Sequence, residues 1–362
     1  MTITHIGFVG TGIMGTPIVG HLLDAGYTVS VYNRTPEHAQ AALDKGAAWA
    51  DSLPQVCQGA QVVFTCVTLP EDVESVYMDR EGLLKSAEPG TYLIDLTTQS
   101  PELARQLHEL GETFDLHVFD CPVTGGQAGA EKGSLTLIAG ATQQELAPIQ
   151  EVLDCFSAKT LCFDAAGAGQ AAKLCNQVSL AGCMLGMAEA LALAEVSHLD
   201  SSKLLELVAS GTGNSYAMDQ LAPKALAGDW APGFKVAHFI KDLTLANDAA
   251  ADSDLPLPGA ETARLLYDML ARMGGATMGT QALELIYASA QDAQEAGLNP
   301  ALAQDPDAQG FDEGEDGCGC GHHHDHEHGE GCCDGHGHRH GHGDGCCGGH
   351  GQGHGGGCCH HD

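Results

Sequence analysis

Apolar and polar positions follow different patterns in successive parts of the chain. Up to about residue 164, six short apolar runs rich in β-branched residues alternate with helix-like segments. The runs are IGFVG, TVSVYN, VVFTCV, YLIDLT, HVFDCPV and LTLIAG. Near-continuous apolar strands separated by helices are typical of a parallel sheet covered on both faces. The pattern predicts a doubly wound α/β domain over residues 1–166.

The strand pattern ends near residue 167. From there to residue 298 Ala, Leu, Met and Glu dominate, with breaks at GTGNS, GDWAPG and LPLPG, so we expect an all-helical second domain. Its most apolar stretch is VSLAGCMLGMAEALALAEV, which contains Glu189 and Glu195. Two acidic residues in such a stretch favour a buried helix over a membrane span.

The composition changes again after residue 298. Residues 299–362 are rich in Gly, His, Cys and Asp and contain almost no aliphatic side chains. We therefore expect a tail that stays disordered unless a metal orders it. Two CC-x-GHG openings begin at Cys332 and Cys346, and a third CC pair begins at Cys358. This repetition favours a binder of several ions over a single built site.

The charge of the chain limits its partners. The formal net charge is -33, of which residues 1–298 carry -22 and the tail carries -11. Such an acidic surface repels phosphate-rich polymers, which argues against a nucleic-acid partner. The start MTITHIGFVG has no basic segment followed by an apolar stretch, so we expect no signal peptide and a cytoplasmic location.

Three glycines mark a candidate cofactor site. Gly10, Gly12 and Gly15 follow the first apolar run and precede a predicted helix, TPIVGHLLDAG. In this setting the first glycine permits a tight turn, and the second lets the backbone approach a pyrophosphate at the helix N-terminus. We interpret the loop, which includes Ile13 and Met14, as the dinucleotide loop of a Rossmann-type domain. The alternative is a glycine turn with a structural role only.

The second predicted strand is followed by a clue to cofactor choice. It ends in VYNRT, with Asn33, Arg34 and Thr35, where an NAD-preferring domain usually carries an acidic residue for the ribose hydroxyls. A guanidinium group can bind a 2'-phosphate through several donors. The segment therefore predicts NADP as the preferred cofactor, with NAD as the alternative. A solvated loop arginine would explain the same letters.

Two further segments contain candidate substrate-binding groups. Lys173 and Asn176 in GAGQAAKLCNQ lie three residues apart, which places them on one face of a helix. The segment DCPVTGGQAGAEKGSL begins at Asp120, at the end of a predicted strand, where open α/β sheets present ligand-binding loops. There, Gly125 and Gly126 would offer backbone N–H groups to a carboxylate. The alternatives are two surface polar residues and a glycine turn without a ligand.

Together these motifs resemble one family, the β-hydroxyacid dehydrogenases. The family includes 3-hydroxyisobutyrate dehydrogenase and the glyoxylate, succinic semialdehyde and tartronate semialdehyde reductases. The resemblance covers about residues 3–290 and rests on GFVGTGIMG, DLTTQSPELARQL, DCPVTGGQAGAEKGSLTLIAG, GAGQAAKLCNQ and GFKVAHFIKDLTLA. It implies an NAD(P)-linked oxidoreductase that acts on a small hydroxy acid or its semialdehyde, and Arg34 favours NADP as its cofactor. We also expect a homodimer or homotetramer and no membrane partner.

The resemblance implies roles for individual residues. Lys173 matches the catalytic lysine, and Asn176 matches the asparagine that holds the substrate. The residues that match the carboxylate-binding Ser-Gly-Gly are Thr124, Gly125 and Gly126. Those that match cofactor contacts are Leu69, Pro70, Thr98 and Lys241, the last being the lysine of a K-D-L segment. Thr124 departs from the usual serine, and its extra methyl group leaves the substrate open. Imine reductases resemble this chain too, but usually have another residue in place of the lysine.

The tail predicts a second, separate chemistry. Residues 318–362 contain 13 His and 8 Cys, and thiolates and imidazoles bind Zn and Ni well. The candidate ligands are Cys318, Cys320, His322, His324, Cys332, Cys333, His336, His338, Cys346, Cys347, Cys358 and Cys359. We expect this metal to be non-catalytic, because the matched motifs supply a lysine where a metal would otherwise be needed. The alternative is a metal buffer or sensor on a Rossmann scaffold that has lost its activity.

Overall fold

The computed structural model describes residues 2–303. The strands are β1 (His5–Val9), β2 (Thr28–Tyr32), β3 (Ala48–Trp49), β4 (Val62–Thr65), β5 (Tyr92–Asp95), β6 (His117–Asp120), β7 (Val123–Thr124), β8 (Leu135–Ala139) and β9 (Ser157–Cys162). The helices of the first half are α1 (Gly15–Asp24), α2 (Gln40–Asp44), α3 (Leu53–Cys57), α4 (Pro70–Met78), α5 (Leu83–Ser86), α6 (Pro101–Thr113), α7 (Gly126–Glu131), α8 (Gln143–Leu146) and α9 (Gln150–Leu153).

The second half is helical. Its α-helices are α10 (Ala168–Val196), α11 (Ser201–Ser210), α12 (Ala222–Leu226), α13 (Val236–Ala251), α14 (Pro258–Leu270) and α15 (Ala290–Glu295). Short 3₁₀ or π segments lie at Pro36–Ala39, Ala147–Ile149, Ala217–Leu221, Ala271–Gly275, Thr280–Ile286 and Pro300–Leu302. The predicted change from an α/β part to a helical part is therefore confirmed, whereas the exact domain boundaries stay a prediction.

The main sheet has six parallel strands within the described residues, in the order β3-β2-β1-β4-β5-β6. The chain moves outward from β1 through β2 to β3, and then returns to the other side of β1 with β4. Ligands of such sheets bind beyond the carboxyl ends of the strands, at the point where the strand order reverses. A ligand is therefore expected beside the loops that follow β1, β2, β4, β5 and β6.

One predicted strand belongs to a different sheet. The run LTLIAG forms β8, which pairs antiparallel with β7 and parallel with β9 in a separate three-stranded sheet. The interpretation of all six runs as one doubly wound sheet is therefore wrong for the last of them. Strands β3 and β7 have two residues each, and β9 is largely exposed. None of the three has the apolar run that would have predicted a strand.

Both faces of the main sheet are covered, as a doubly wound fold requires. Successive side chains of a strand point to opposite faces, and Phe64 and Val63 accordingly lie in two separate apolar clusters. On one face Phe64 packs against Phe8, with ring centroids 5.9 Å apart, and edge-on against Phe156 at 5.5 Å. On the other face Val63 packs among helices α3 to α6, with the fully buried Tyr77.

The long helix α10 begins the helical part and packs against α13 and α14. By length and composition alone, it is the one helix among residues 2–303 that is long and apolar enough to cross a membrane. Its first turns, however, contain the buried polar side chains of Gln170, Lys173 and Gln177, all of which bond to other parts of the chain. This end of α10 is therefore a core helix, and it places Lys173 beside the loops of the sheet.

Candidate active site

The glycine loop after β1 has the shape that a dinucleotide needs. A Cβ atom on Gly10 would collide with the carbonyl oxygen of Cys66, and one on Gly15 would collide with that of Gly10. A Cβ atom on Gly12 would meet nothing within 4 Å. The first and third glycines are thus required by packing within the protein, whereas Gly12 borders open space. The buried Thr11 hydroxyl beside it has no hydrogen-bond partner in the described chain, so the loop fits a bound pyrophosphate.

The next two residues connect this loop to helix α1. Met14 is the residue before the helix, and Ile13 is 45% exposed although it is a large apolar residue. Both lie between Gly12 and Gly15, the first residue of the helix. Their contact with a cofactor at the helix N-terminus stays a prediction.

Asn33 holds the ends of two strands together. Its Oδ1 accepts a hydrogen bond from the backbone N–H of Thr11 at 3.0 Å, and its Nδ2 donates to the carbonyl oxygen of Thr35 at 2.7 Å. A carboxylate accepts hydrogen bonds but has no donor, so an acidic residue would lose the second contact. Asn33 therefore shapes the glycine loop, and an acidic residue in its place could not make both contacts.

Arg34 lies beside the loop that follows β4. Its guanidinium Nη1 donates to Oδ1 of Asp72 at 2.8 Å. The other carboxylate oxygen, Oδ2, accepts the backbone N–H of Leu69 at 3.2 Å and so caps helix α4, which begins at Pro70. The structure thus brings together three predicted cofactor residues from two separate loops.

Lys173 is buried at the start of α10, with a relative exposure of 8%. Its Nζ donates to the carbonyl oxygen of Val123 at 2.9 Å. Burial lowers the pKa of Lys173; the nearby Asp242 carboxylate opposes this effect and the Lys241 ammonium adds to it. A buried lysine with a lowered pKa can both donate and accept a proton closer to neutral pH than an exposed one.

A chain of side chains continues from Asn176. Its Nδ2 donates to Oε1 of Gln177 at 2.9 Å, and Nε2 of Gln177 donates to Oδ2 of the buried Asp242 at 2.6 Å. The Lys241 ammonium lies 3.1 Å from Oδ1 of Asp242, which is an ion-pair distance. Sequence reasoning did not assign Asp242 a role, although it directly follows Lys241 in the K-D-L segment. Asp242 is the acidic group that acts on the pKa of Lys173.

Lys241 also joins the helical part to the sheet. Its Nζ donates to the carbonyl oxygen of Thr98, in the loop after β5, at 2.6 Å. Two residues predicted to contact the cofactor are therefore in direct contact with each other. Lys241 pairs with Asp242, which bonds to Gln177, one helical turn beyond Lys173 on α10, so these two predicted residues lie near the candidate catalytic lysine.

The predicted carboxylate loop lies beside Lys173. Thr124 ends β7 and pairs with Thr136 of β8, and the next residue of the loop is Gly125. Gly125 and Gly126 have φ angles of 128° and 61°, in the region that favours glycine. Because Lys173 bonds to the residue just before Thr124, the lysine and the loop form adjoining walls of one site.

Asp120 connects the sheet to α10. Both of its carboxylate oxygens accept backbone N–H groups, Oδ1 from Gly167 and Oδ2 from Gln170, each at 2.8 Å. Burial raises the pKa of this carboxyl group, and the two backbone hydrogen bonds act in the opposite direction. The Gln170 side chain extends the network, because it bonds to the backbone of Gln99 and Thr97. Sequence reasoning used Asp120 only as the start of the substrate loop.

The described residues contain no candidate metal centre: within residues 2–303, no group of three or more His, Cys, Asp or Glu side chains is placed to hold an ion. The predicted tail ligands, from Cys318 to Cys359, lie outside the described residues. Metal binding by the tail therefore stays a prediction from its composition.

Two family profiles match consecutive parts of the chain. Residues 5–167 match the NAD binding domain of 6-phosphogluconate dehydrogenase. Residues 167–286 match the family described as NAD-binding of NADP-dependent 3-hydroxyisobutyrate dehydrogenase. Both profiles refer to nicotinamide cofactors, and together they cover the glycine loop and the predicted catalytic segment.

Individual proteins of these families are also similar to the chain over most of its length. The chain is 37% identical to a 3-hydroxyisobutyrate dehydrogenase of Pseudomonas aeruginosa over 278 residues, which cover 74% of this chain and 93% of that protein. It is 32% identical to an NAD-dependent L-serine dehydrogenase of the same species over 290 residues, 78% and 97% of the two chains. The solved Mycobacterium tuberculosis 3-hydroxyisobutyrate dehydrogenase with L-serine has a TM-score of 0.74 and 33% identity, covering 80% of this chain and all of that one.

Proposed function

Because the chain belongs to the family of 3-hydroxyisobutyrate dehydrogenase-like oxidoreductases, we propose that it interconverts a short β-hydroxy acid and its semialdehyde, with NADP(H) as cofactor. One observation carries this proposal. The buried Lys173 bonds to the carbonyl oxygen of Val123, directly before the loop with the backbone amides of Gly125 and Gly126. A proton-transfer group and a candidate carboxylate site therefore adjoin each other.

The residues of this chain divide the chemistry as follows. The amides of Gly125 and Gly126 bind the substrate carboxylate, and Asn176 and Lys173 hold the oxygen that changes between hydroxyl and carbonyl. In reduction the Lys173 ammonium stabilises the developing negative charge on that oxygen and donates its proton. In oxidation the neutral amine accepts the proton. The nicotinamide, when bound, exchanges the hydride.

The charges around Lys173 suit proton transfer both in reduction and in oxidation of the substrate. Burial lowers its pKa, so that the neutral amine forms at a lower pH than in water, while Asp242 limits the effect. Nε2 of Gln177 donates a hydrogen bond of 2.6 Å to Oδ2 of Asp242. The carboxylate that balances Lys173 is thus fixed in place by the residue next to Asn176.

The relatives narrow the substrate class. The matched proteins are named for 3-hydroxyisobutyrate and L-serine, and both compounds have a carboxylate and a primary hydroxyl on the β-carbon. We propose a substrate with this arrangement. The alternative within the family is reduction of glyoxylate, succinic semialdehyde or tartronate semialdehyde. The extra methyl group of Thr124, where the family usually has serine, takes up space in the substrate pocket and so affects which of these compounds fits.

A substrate panel tests this proposal. The purified full-length protein is assayed for NADP reduction with 3-hydroxyisobutyrate and L-serine, and for NADPH oxidation with glyoxylate and the two semialdehydes. We expect kcat/KM for 3-hydroxyisobutyrate or L-serine to exceed that for glyoxylate and for succinic semialdehyde by about tenfold or more, because these two place the reacting oxygen one carbon nearer to, or farther from, the carboxylate. Activity with glyoxylate alone would contradict the proposed substrate class.

The tail supports a second activity on the same chain. We propose that it binds several Ni or Zn ions independently of catalysis, because its His and Cys residues are dense and repeated. A second candidate function for the whole protein is a metal buffer or sensor. The intact group of Lys173, Asn176 and the glycine loop favours the dehydrogenase, and turnover by the protein without its tail separates the two.

The helical part also supports a homo-oligomer, as a dimer or tetramer. Leu193 and Val196 at the end of α10 are 65% and 74% exposed, and Leu207 on α11 is 67% exposed. Large apolar side chains of this kind favour burial against another copy. Light scattering of the wild type and of a Leu207→Glu variant tests this proposal, since a charge in the interface should shift the mass toward the monomer.

A further inference from the structure

The ion pair between Arg34 and Asp72 lies at the entrance of the proposed cofactor site. Arg34 is 77% exposed and Asp72 is 22% exposed. The two residues come from the loops after β2 and β4, which flank the glycine loop after β1 in the sheet. The pair therefore lies where the adenosine ribose of a bound dinucleotide is expected, between these two loops.

We propose that Asp72 sets the choice between NADP and NAD, by competing with the 2'-phosphate of NADP for the Arg34 guanidinium. This inference rests on the proposed function, because it assumes that the cofactor occupies the loop of Gly10, Gly12 and Gly15. It assigns Asp72 the role of a specificity-determining residue. Its carboxylate weakens the binding of NADP and leaves that of NAD unaffected.

The competition follows from the way in which Asp72 is held. One carboxylate oxygen bonds to Arg34 at 2.8 Å and the other to the N–H of Leu69 at 3.2 Å. Because the second contact caps helix α4, Asp72 cannot turn away without leaving that N–H group unsatisfied. A phosphate that binds the remaining guanidinium donors must therefore lie close to a fixed negative charge.

The charge difference between the cofactors makes this effect selective. Both cofactors carry the same pyrophosphate, but NADP has a 2'-phosphate where NAD has a neutral hydroxyl, so the repulsion between Asp72 and the 2'-phosphate acts on NADP alone. Arg34 is largely exposed, and water weakens the interaction. We therefore expect an effect of about fivefold on the NADPH dissociation constant, a size consistent with two charges about 4 Å apart under nearly the screening of bulk water.

The test uses the full-length protein and a matched pair of variants. Asp72→Asn removes the charge but keeps an oxygen for the Leu69 N–H. Glu71→Gln makes the same charge change at the exposed preceding residue of the same helix. Dissociation constants for NADPH and NADH are measured by nicotinamide fluorescence. We expect Asp72→Asn to tighten NADPH binding about fivefold with NADH within twofold, and Glu71→Gln to change neither by more than twofold.

A double variant identifies the route of the effect. In the Arg34→Ala background, Asp72→Asn should change NADPH binding by less than twofold, because the group for which both anions compete is absent. Weaker NADPH binding in Asp72→Asn would overturn the proposal, since it would make Asp72 a support for Arg34. Equal changes for both cofactors, or a full effect without Arg34, would also overturn it.

These measurements separate the inference from the proposed function. Binding is measured without a substrate, so an error in the proposed substrate leaves the result unchanged. Tighter wild-type binding of NADH than of NADPH would contradict the proposed cofactor preference. The ratio of the two constants in Asp72→Asn relative to wild type still decides the role of Asp72.

Discussion

The carboxylate of Asp120 accepts the backbone N–H of Gly167 at 2.8 Å, across 47 positions of sequence. Asp120 ends strand β6, and Gly167 immediately precedes helix α10. The substrate loop begins directly after the first residue, and Lys173 lies six positions beyond the second. One buried side chain therefore fixes the two walls of the candidate site relative to each other.

Packing around this carboxylate leads to a first prediction. A Cβ atom on Gly169 would collide with the carbonyl oxygen of Ile138 and lie 2.6 Å from the N of Gly140. We expect Gly169→Ala to lower the free energy of unfolding by about 2 kcal/mol or more, the usual scale for overpacking. Gly182 lies in the same helix with nothing within 4 Å of an added Cβ, so Gly182→Ala should raise it by roughly 0.5–1 kcal/mol. Urea denaturation checks both, and similar effects for the two variants would contradict the packing described.

Lys173 carries the second prediction. Lys173→Ala should lower turnover by ~100-fold or more, the usual scale for a lost proton-transfer group, while NADPH still binds. The matched control is Lys159→Ala, at an exposed lysine of β9. Because burial lowers the pKa of Lys173, the wild-type oxidation rate should rise with pH through a value below the ordinary lysine pKa, as the neutral amine forms. Near-normal turnover in Lys173→Ala would remove this residue from the mechanism.

Arg34 carries the third prediction. Arg34→Ala should raise the KM for NADPH by about tenfold or more and change that for NADH little, since one charge-assisted hydrogen bond contributes roughly 1.5–3 kcal/mol. Arg80 is an exposed arginine in the same part of the fold, and Arg80→Ala serves as the control. Steady-state kinetics with both cofactors measure the effect. An unchanged KM for NADPH in Arg34→Ala would show that Arg34 does not select the cofactor.

Asp95 carries the fourth prediction, on stability. Burial raises its pKa to about 7, with opposing hydrogen bonds from Thr97 and Gln99, whereas an unfolded aspartate has a pKa of about 3.9. The folded state therefore holds the proton of Asp95 more tightly than the unfolded state does. The stability that protonated Asp95 contributes is fully present below pH ~3.9 and is lost as the pH rises through about 7. Asp95→Asn lacks this titration.

The measurement compares the free energy of unfolding of Asp95→Asn and wild type at several pH values. The difference, variant minus wild type, should increase between pH 4 and about 7 and then stay constant, because only the wild type loses a stabilising proton in that range. Comparing the two proteins cancels the titration of groups that they share. A difference that does not vary over this range would show that Asp95 titrates normally.

The sequence predicts the fold wherever a pattern is local. Strands β1, β2, β4, β5 and β6 have apolar residues at successive or alternate positions, and the glycine loop has a fixed spacing, so both are visible in the letters. Strands β3, β7 and β9 exist because of their partners in the sheet, and short or exposed segments leave no apolar run. The separate sheet of β8 was missed for the same reason, since its neighbours decide to which sheet a strand belongs.

The sequence predicts individual residues of the candidate site but not the hydrogen bonds that join them. Lys173 and Lys241 were recognisable from their motifs, whereas the contact between Lys241 and Thr98 spans 143 positions of sequence. Asp242 and Asp120 also act through partners far away along the chain, Gln177 at 65 positions and Gly167 at 47 positions. Such pairings arise only when α10 packs against α13 and the helical part packs onto the sheet, and no spacing in the sequence encodes them.

The tail carries the last prediction. Its His and Cys residues alternate with glycine, and acidic neighbours such as Asp325, Glu327 and Asp344 raise the local concentration of cations. Thiols must lose protons and imidazoles must be neutral to bind metal. We therefore expect full-length protein to bind several Ni or Zn ions at neutral pH and to bind them more weakly as the pH falls through ~6.5, the ordinary histidine pKa.

Truncation after Gly310 separates this binding from catalysis. The candidate active site is built from residues before position 243, and its proton-transfer group is a lysine, so turnover should not require the tail ligands. We expect the truncated protein to lose the binding of multiple ions, measured by calorimetry, yet to keep its NADPH-dependent rate within about twofold. A chelator should leave both forms active. Loss of activity on truncation, or on chelation of the truncated form, would instead make metal part of the catalytic or structural core.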